Sequence, residues 1–178
     1  MEQREIAIGL DIGTTKIVAI VGHKNEYGKM EILGFGKAKS LGVQRGVVSN
    51  ITQTIESIRY AINEAEVDSG LSLSSCVVGI AGQHIRSLQH SDYILREDAQ
   101  EVITQDDIDK LEKNVHKLVM LPGEEIIHVL PQEYKIDGEP NINEPIGMLG
   151  RRLEANLHIV VGQKAAIGNI FSCVKQSN

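Results

Sequence analysis

Two apolar runs, EIAIGLD at 5–11 and KIVAIVGH at 16–23, stand only four residues apart. Runs this short and rich in β-branched residues read as strands, and so short a connection makes them antiparallel neighbours. A turn at Glu26-Tyr27-Gly28-Lys29 leads to a third strand, MEILGFGKA at 30–38, so the chain opens as a three-stranded meander. The period then changes. Ile51, Ile55, Ile58, Ile62 and Ala65 recur at helical spacing. Asn50 with Gln53 three residues on fits an N-cap and capping box, and Asp68-Ser69-Gly70 ends a helix expected over 50–67. A fourth, fully buried strand is expected at 75–81, SCVVGIA. The order β-β-β-α-β defines an α/β fold, a mixed sheet with a helix on one face.

The texture changes after Gly82. Residues 83–101 alternate polar and apolar side chains without a helical period. TQDDIDKLEKNVHKLV, 104–119, is an amphipathic helix whose apolar face is Ile108, Leu111, Val115 and Leu118. Thr104 caps it, and Asp106, Asp107 and Asp109 suit its positive end, as Lys113 and Lys117 suit the other. Pro122-Gly123 stops it. Strands are expected at 125–136 and 153–161, separated by a Gly/Pro/Asn-rich loop, 138–151. The result is a strand-helix-strand-strand module at 83–162. A last helix, 164–176, would bury Ile167, Ile170, Phe171 and Val174.

The chain has 178 residues, room for one ordinary domain or two small ones. Hydrophobic residues make up 42% but aromatics only 3%, with no Trp, so the core must be aliphatic. The net charge of −6, with no Lys/Arg cluster, argues against a nucleic-acid partner. Cys76 and Cys173 stand singly in apolar runs, which suits two structural thiols in a reducing compartment. The opening MEQREIAIGL lacks the apolar core of a signal peptide, and no run approaches the ~18 apolar residues of a spanning helix. A soluble segment is the expectation.

The turn between the first two strands carries the clearest chemistry: Asp11-Ile12-Gly13-Thr14-Thr15-Lys16. Backbone N–H groups of a tight Gly-containing turn can converge on an anion, and threonine hydroxyls add donors for phosphate oxygens. Lys16 would supply charge. Asp11 could hold Mg²⁺ through water, since Mg²⁺ keeps several waters and takes few carboxylates. The stretch reads as one half of a Mg-nucleotide clamp; a plain hairpin with a polar turn is the alternative. It is not a Walker loop, which requires G-x-x-x-x-G-K-[ST] before a helix.

Residues 6–22, opening a meander followed by a capped helix, resemble the first phosphate loop of the actin, Hsp70 and sugar-kinase superfamily. GIAGQHI (79–85), HVLPQEYKIDG (128–138) and PIGMLGRRLEANLHIVVG (145–162) narrow the resemblance to the FtsA family of bacterial division proteins. The resemblance implies an actin-like (ribonuclease-H-like) subdomain 1A at 1–82 plus 163–178, and an inserted subdomain 1C at 83–162. It implies ATP with Mg²⁺ as cofactors, bound by Asp11, Gly13, Thr14, Thr15 and Lys16, with Asp11 on the metal side. It implies polymerisation on the cytoplasmic face of the membrane at the septum and attachment of the FtsZ ring. It also implies self-association and late-division partners through 1C. The family is more than twice as long as this chain. Its second phosphate loop, its domain 2 with the FtsZ surface, and its membrane-binding helix would follow Asn178. The expectation is therefore a piece of a longer protein that by itself binds ATP weakly or not at all, the longer protein being at most a weak ATPase.

The remaining features are less pointed. The acidic run Asp106, Asp107, Asp109 could be offered as a metal site, but a solvated helix start explains it. The six histidines show no HxxxH or HxH spacing, and His128 and His158 read as packed or surface residues. Lys113, Lys117, Arg151 and Arg152 are candidates for a partner surface, with the loop 138–150. No Ser/His/Asp or Cys/His arrangement and no paired carboxylates point to an enzyme. The rival readings are a sugar-kinase-type phosphotransferase, sharing the Asp-x-Gly-Thr-Thr hairpin, and an actin-like pilus-assembly protein.

Overall fold

The computed structural model describes residues 6–177. Glu5, expected to open the first strand, and Asn178 lie outside them. In chain order the elements are β1 (Ile6–Ile12), β2 (Lys16–Lys24), β3 (Met30–Lys39), β4 (Val43–Gln44), β5 (Val47–Val48), α1 (Ile51–Ser69) and β6 (Val77–Gly79). Then follow β7 (Ile85–Leu95), α2 (Gln105–Val115), β8 (Glu124–Ile136), β9 (Glu139–Ile142), β10 (Arg152–Gln163) and α3 (Lys164–Ser177). The chain forms two compact units. One runs to His84 and resumes at Ala165; the other spans Ile85–Lys164. These bounds lie two residues beyond the expected divides at Gly82 and Gly162.

In the first unit β1, β2 and β3 form the antiparallel meander, and β6 joins β1 in parallel, in the order β3-β2-β1-β6. The register places Leu10 opposite Ala19 and Ile12 opposite Ile17. Those residues, with Val21 and Ala38, line one face and are buried together with Ile58, Ala61 and Ala65 of α1 and Ile170 and Cys173 of α3. A one-residue slip would turn every one of them outward, so the core fixes the register. The other face carries Gly9, Asp11, Ile20 and Phe35, all exposed. Asn50 caps α1 by accepting the Gln53 N–H at its Oδ1, 3.0 Å away. At the far end Gly70 takes a left-handed conformation, φ 68, and its N–H donates to Glu66 O.

α1 lies unusually close to β3. A Cβ built on Gly36 would fall 1.9 Å from the Ala61 carbonyl oxygen, and one on Gly34 2.6 Å from Ser69 Cβ. The two glycines thus let helix and strand backbones touch. Two expectations fail in this unit. The strand at 75–81 is three residues long and is an edge, with Val77 78% exposed. Its chain leaves the sheet to pass the Arg45-Gly46 turn, where a Cβ on Gly46 would meet the Ala81 oxygen at 1.9 Å. Phe171 is 68% exposed, because α3 packs through Ala166, Ile170 and Cys173 instead. Both thiols are free, and burial pushes each above its ordinary range.

In the second unit β7, β10, β8 and β9 make an antiparallel sheet in that order. Leu153, Ala155, Leu157, Ile159 and Val161, alternate residues of β10, form one core with Ile108, Leu111 and Val115 of α2. The expected loop 138–151 holds a further strand, β9, turned back on β8 by Asp137-Gly138 with φ 49 and 93. Both positive angles suit the two-residue hairpin turn that an Asp-Gly pair favours. The rest of that loop returns along 102–103. Ile103 N–H donates to Met148 O at 2.8 Å, and Gly147 N–H to Ile103 O at 2.9 Å. α2 stops at Val115 rather than 119, because the chain tightens. Lys117 N–H donates to Asn114 O and Leu118 N–H to Val115 O, both at 3.0 Å.

Candidate functional site

The β1–β2 hairpin places the expected binding residues. Ile12 faces Ile17 as the last pair of the ladder, and Gly13 N–H donates to Lys16 O at 3.0 Å. The turn is therefore closed on itself, with Thr14 and Thr15 at its tip. A Cβ on Gly13 would lie 2.9 Å from that same Lys16 oxygen, which is why the turn takes glycine there. Ser40 N–H donates to Thr15 O at 3.1 Å and ties the tip to the end of β3. Asp11, Thr14, Thr15 and Lys16 are all exposed. Asp11 stands opposite Gly79 of β6 on the open face of the sheet, and a Cβ at 79 would come 3.8 Å from its Oδ1. The bare glycine leaves that carboxylate accessible.

What the hairpin can do follows from these placements. Gly13 N–H is already bonded to Lys16 O, and the exposed tip offers an anion the Thr14 and Thr15 hydroxyls and N–H groups with the Lys16 ammonium beside them. Asp11 is a lone carboxylate beside them, a group that suits a hydrated divalent cation and would repel a bare phosphate. The set fits one side of a metal-bound phosphate chain.

The candidate partner residues lie in the other unit and differ among themselves. Lys113 is exposed on α2 and Lys117 is exposed two residues past its end, where the ammonium donates to Asn114 Oδ1 at 2.8 Å. Arg152 is committed: its guanidinium donates to Glu154 Oε2 at 2.8 Å and stacks 4.0 Å over the Tyr93 ring. Arg151 is exposed, its backbone N–H held by the Asp137 carboxylate at 3.1 Å. Asp137 also accepts the Arg152 N–H at 2.8 Å, so the hairpin turn and the start of β10 are joined. His128 is exposed, and His158 Nδ1 lies 3.1 Å from Gln89 Nε2 across the β7–β10 pair.

The acidic run is not a uniformly solvated helix start. Asp106 is exposed, but Asp107 turns inward and meets Arg96. Arg96 Nε donates to Asp107 Oδ2 at 3.1 Å, and its other nitrogens to the carbonyls of Glu101, Val102 and Gly150, each at 2.8 Å. The two side chains are 7% and 10% exposed. This clamp, invisible in the sequence, joins the end of β7, the start of α2 and the segment before β10. Among the described residues no group of three or more His, Cys, Asp or Glu is arranged to hold a metal.

Three carboxylates of this unit titrate below their ordinary range. Burial pushes Asp107 up, but the Thr104 N–H, the Lys110 ammonium and the Arg96 guanidinium outweigh it. The Arg86 guanidinium holds Glu124 down, and the N–H groups of Arg152 and Arg151 hold Asp137 down. A depressed carboxyl stabilises the fold above its unfolded value, about 4, and that contribution is lost as pH falls through the folded one. Amide protection in β7, β10 and α2, taken relative to the intrinsic exchange rate at each pH, should therefore be flat from about pH 7 to 5 and fall below about pH 4. Protection unchanged down to about pH 3 would contradict this account.

A chain of the PilM-PilN type IV pilus biogenesis complex matches with a TM-score of 0.64, covering 98% of this chain and 45% of that one at 11% identity. The class is thus an actin-like α/β fold. The family described as "SHS2 domain inserted in FTSA" matches residues 82–161. Cell division protein FtsA of Pseudomonas aeruginosa is 38% identical over 176 residues, and that of Neisseria meningitidis serogroup B 37% over 175. The Escherichia coli K12 protein is 28% identical over 173. By sequence, then, the chain is similar to cell division protein FtsA along nearly its whole length, and its residues 82–161 match the SHS2 domain described for that protein. It spans 42% of the length of the first two of these relatives. No helix among the described residues is long and apolar enough to cross a membrane.

Proposed function

We propose that this chain is the part of an FtsA-type division protein that supplies one lip of a Mg-ATP site together with a separate contact unit. The observation that carries the reading is the exposed Asp11–Lys16 hairpin on an actin-like sheet, in a chain that follows FtsA along 98% of its length. Asp11 holds the hydrated Mg²⁺, and Thr14, Thr15 and Lys16 meet phosphate oxygens. Gly13 closes the turn that aims them. Most donors for a triphosphate belong to the length of FtsA that this chain does not span. The 178-residue chain alone accordingly binds ATP weakly or not at all, and hydrolysis by the longer protein is slow.

The longer protein assembles into filaments at the cytoplasmic face of the membrane and anchors the FtsZ ring at the septum. The 85–164 unit contributes self-association and recruits late division proteins. Within it, Lys113, Lys117 and Arg151 are the cations most available to a partner, since Arg152 is held by Glu154 and Tyr93. The pilus-assembly alternative shares the fold, but the sequence relationship lies with FtsA.

The test uses a protein of the relatives' full length. Asp11→Ala and Lys16→Ala should each weaken Mg-ATP binding at least about tenfold by calorimetry, the scale of one charge-assisted contact. Reversing the charge of Lys113 with Lys117 should leave that affinity intact while changing sedimentation. Wild-type ATP affinity in the first pair sinks the nucleotide reading. Unaltered assembly in the second moves the contact surface off α2.

A further inference from the structure

We infer that Glu64 and Asp68 close the outer edge of β3 against strand addition, and that the strand they exclude is β3 of a second copy of this chain. β3 is the outermost strand of its sheet, with β2 as its neighbour. Such a strand ordinarily presents a row of unpaired N–H and C=O groups, a template for another chain. Here two of the outward donors are occupied. Phe35 N–H donates to Asp68 Oδ2 at 2.9 Å, and Lys37 N–H to Glu64 Oε2 at 3.0 Å.

The match is geometric. Alternate residues of a strand are about 6.7 Å apart. Residues four apart on a helix are about 6 Å apart along its axis. α1 runs opposite to β3, so the earlier acid of the helix meets the later donor of the strand. Side chains this short reach the edge because Gly34 and Gly36 bring α1 down onto the β3 backbone. The edge is thus blunted from the neighbouring helix rather than by proline or a bulge at that point. Beside it, the open face carries Ile32, Phe35 and, on β2, Ile20, all exposed. A second β3 paired edge to edge would set its own Ile32 and Phe35 on that face beside those of the first and bring the same row of donors and acceptors, which makes a like strand the occupant favoured once the carboxylates are gone. This inference does not depend on the nucleotide reading.

The test is sedimentation of the whole chain over a concentration series, with amide exchange read at residues 35 and 37. Glu64→Ala with Asp68→Ala should self-associate with concentration. In dilute solution its Phe35 and Lys37 amides should exchange at least about tenfold faster than wild type, and association should restore their protection. Glu64→Gln with Asp68→Asn keeps both acceptor oxygens and should behave as wild type. Glu26→Ala with Glu56→Ala removes the same charge away from the edge and should also stay at wild-type mass. If the double alanine variant does not fold, the single variants decide, each expected to lose protection only at its own donor. A folded double variant of unchanged mass would overturn the inference. So would association in the charge control, or association that leaves the two amides unprotected.

Discussion

Arg96→Ala should cost the 85–164 unit about 3–5 kcal/mol, the range for removing one partner of a buried ion pair. The loss is large because the guanidinium answers four acceptors at once. Asp107 would remain 10% exposed with no guanidinium beside it, and the carbonyls of Glu101, Val102 and Gly150 would lose their donor. A domain of this size has about 4–12 kcal/mol in all, so the change removes at least about a quarter of the unit's stability. Arg96→Lys should recover little, since an ammonium cannot reproduce the planar fork that spans the four oxygens. Removing both partners should be less harmful than the sum of the single changes, because Arg96→Ala with Asp107→Ala leaves no buried charge behind. Amide exchange in the whole chain reads this unit separately: β7, α2 and β10 should lose protection while β1 and β2 keep theirs. Protection unchanged in Arg96→Ala would mean that the clamp is not what joins these segments.

What the sequence shows and hides divides along physical lines. Local periodicity and caps are legible, as Asn50 with Gln53 and the alternation of β2 demonstrate. The Asp137-Gly138 pair also carried a hairpin signal, and β9 could have been found from it. Edges and depth are not legible. The run SCVVGIA is as apolar as a central strand, but burial is decided by what lies on its far side, and only β1 pairs with β6 among the described residues. Arg96 stands in a polar stretch, Leu-Arg-Glu-Asp, that reads as surface; its three carbonyl partners are brought to it by the chain path, not by spacing. The same holds at the proposed site. The hairpin is plain in Asp-x-Gly-Thr-Thr, whereas Gly79, which leaves Asp11 open, arrives from another strand. Helical period correctly placed α3 but could not choose its face, since Phe171 and Cys173 are both apolar and only one turns inward.

Gly36→Ala should destabilise the first unit by about 3 kcal/mol or more, at or beyond the upper end of overpacking costs. The Cβ would fall 1.9 Å from Ala61 O, 2.6 Å from Ala65 N and 3.0 Å from Ala61 C, all backbone of α1. No rotamer can relieve a clash between backbones; the helix must lift. Lifting it would also pull Glu64 and Asp68 away from the Lys37 and Phe35 N–H groups and draw Ile58, Ala61 and Ala65 out of the core they share with β2. The cost therefore exceeds that of one methyl group in the wrong place. Gly168→Ala is the matched comparison. It sits within α3 with nothing inside 4 Å of the new Cβ. There the same substitution should stabilise by about 0.5–1 kcal/mol through helix propensity. Opposite signs for one chemical change, read as opposite shifts in the thermal midpoint, would show that it is the approach of α1 to β3, not glycine as such, that position 36 requires. A neutral Gly36→Ala would show that α1 can ride higher on the sheet, and the strand-edge contacts of Glu64 and Asp68 would then be dispensable as well.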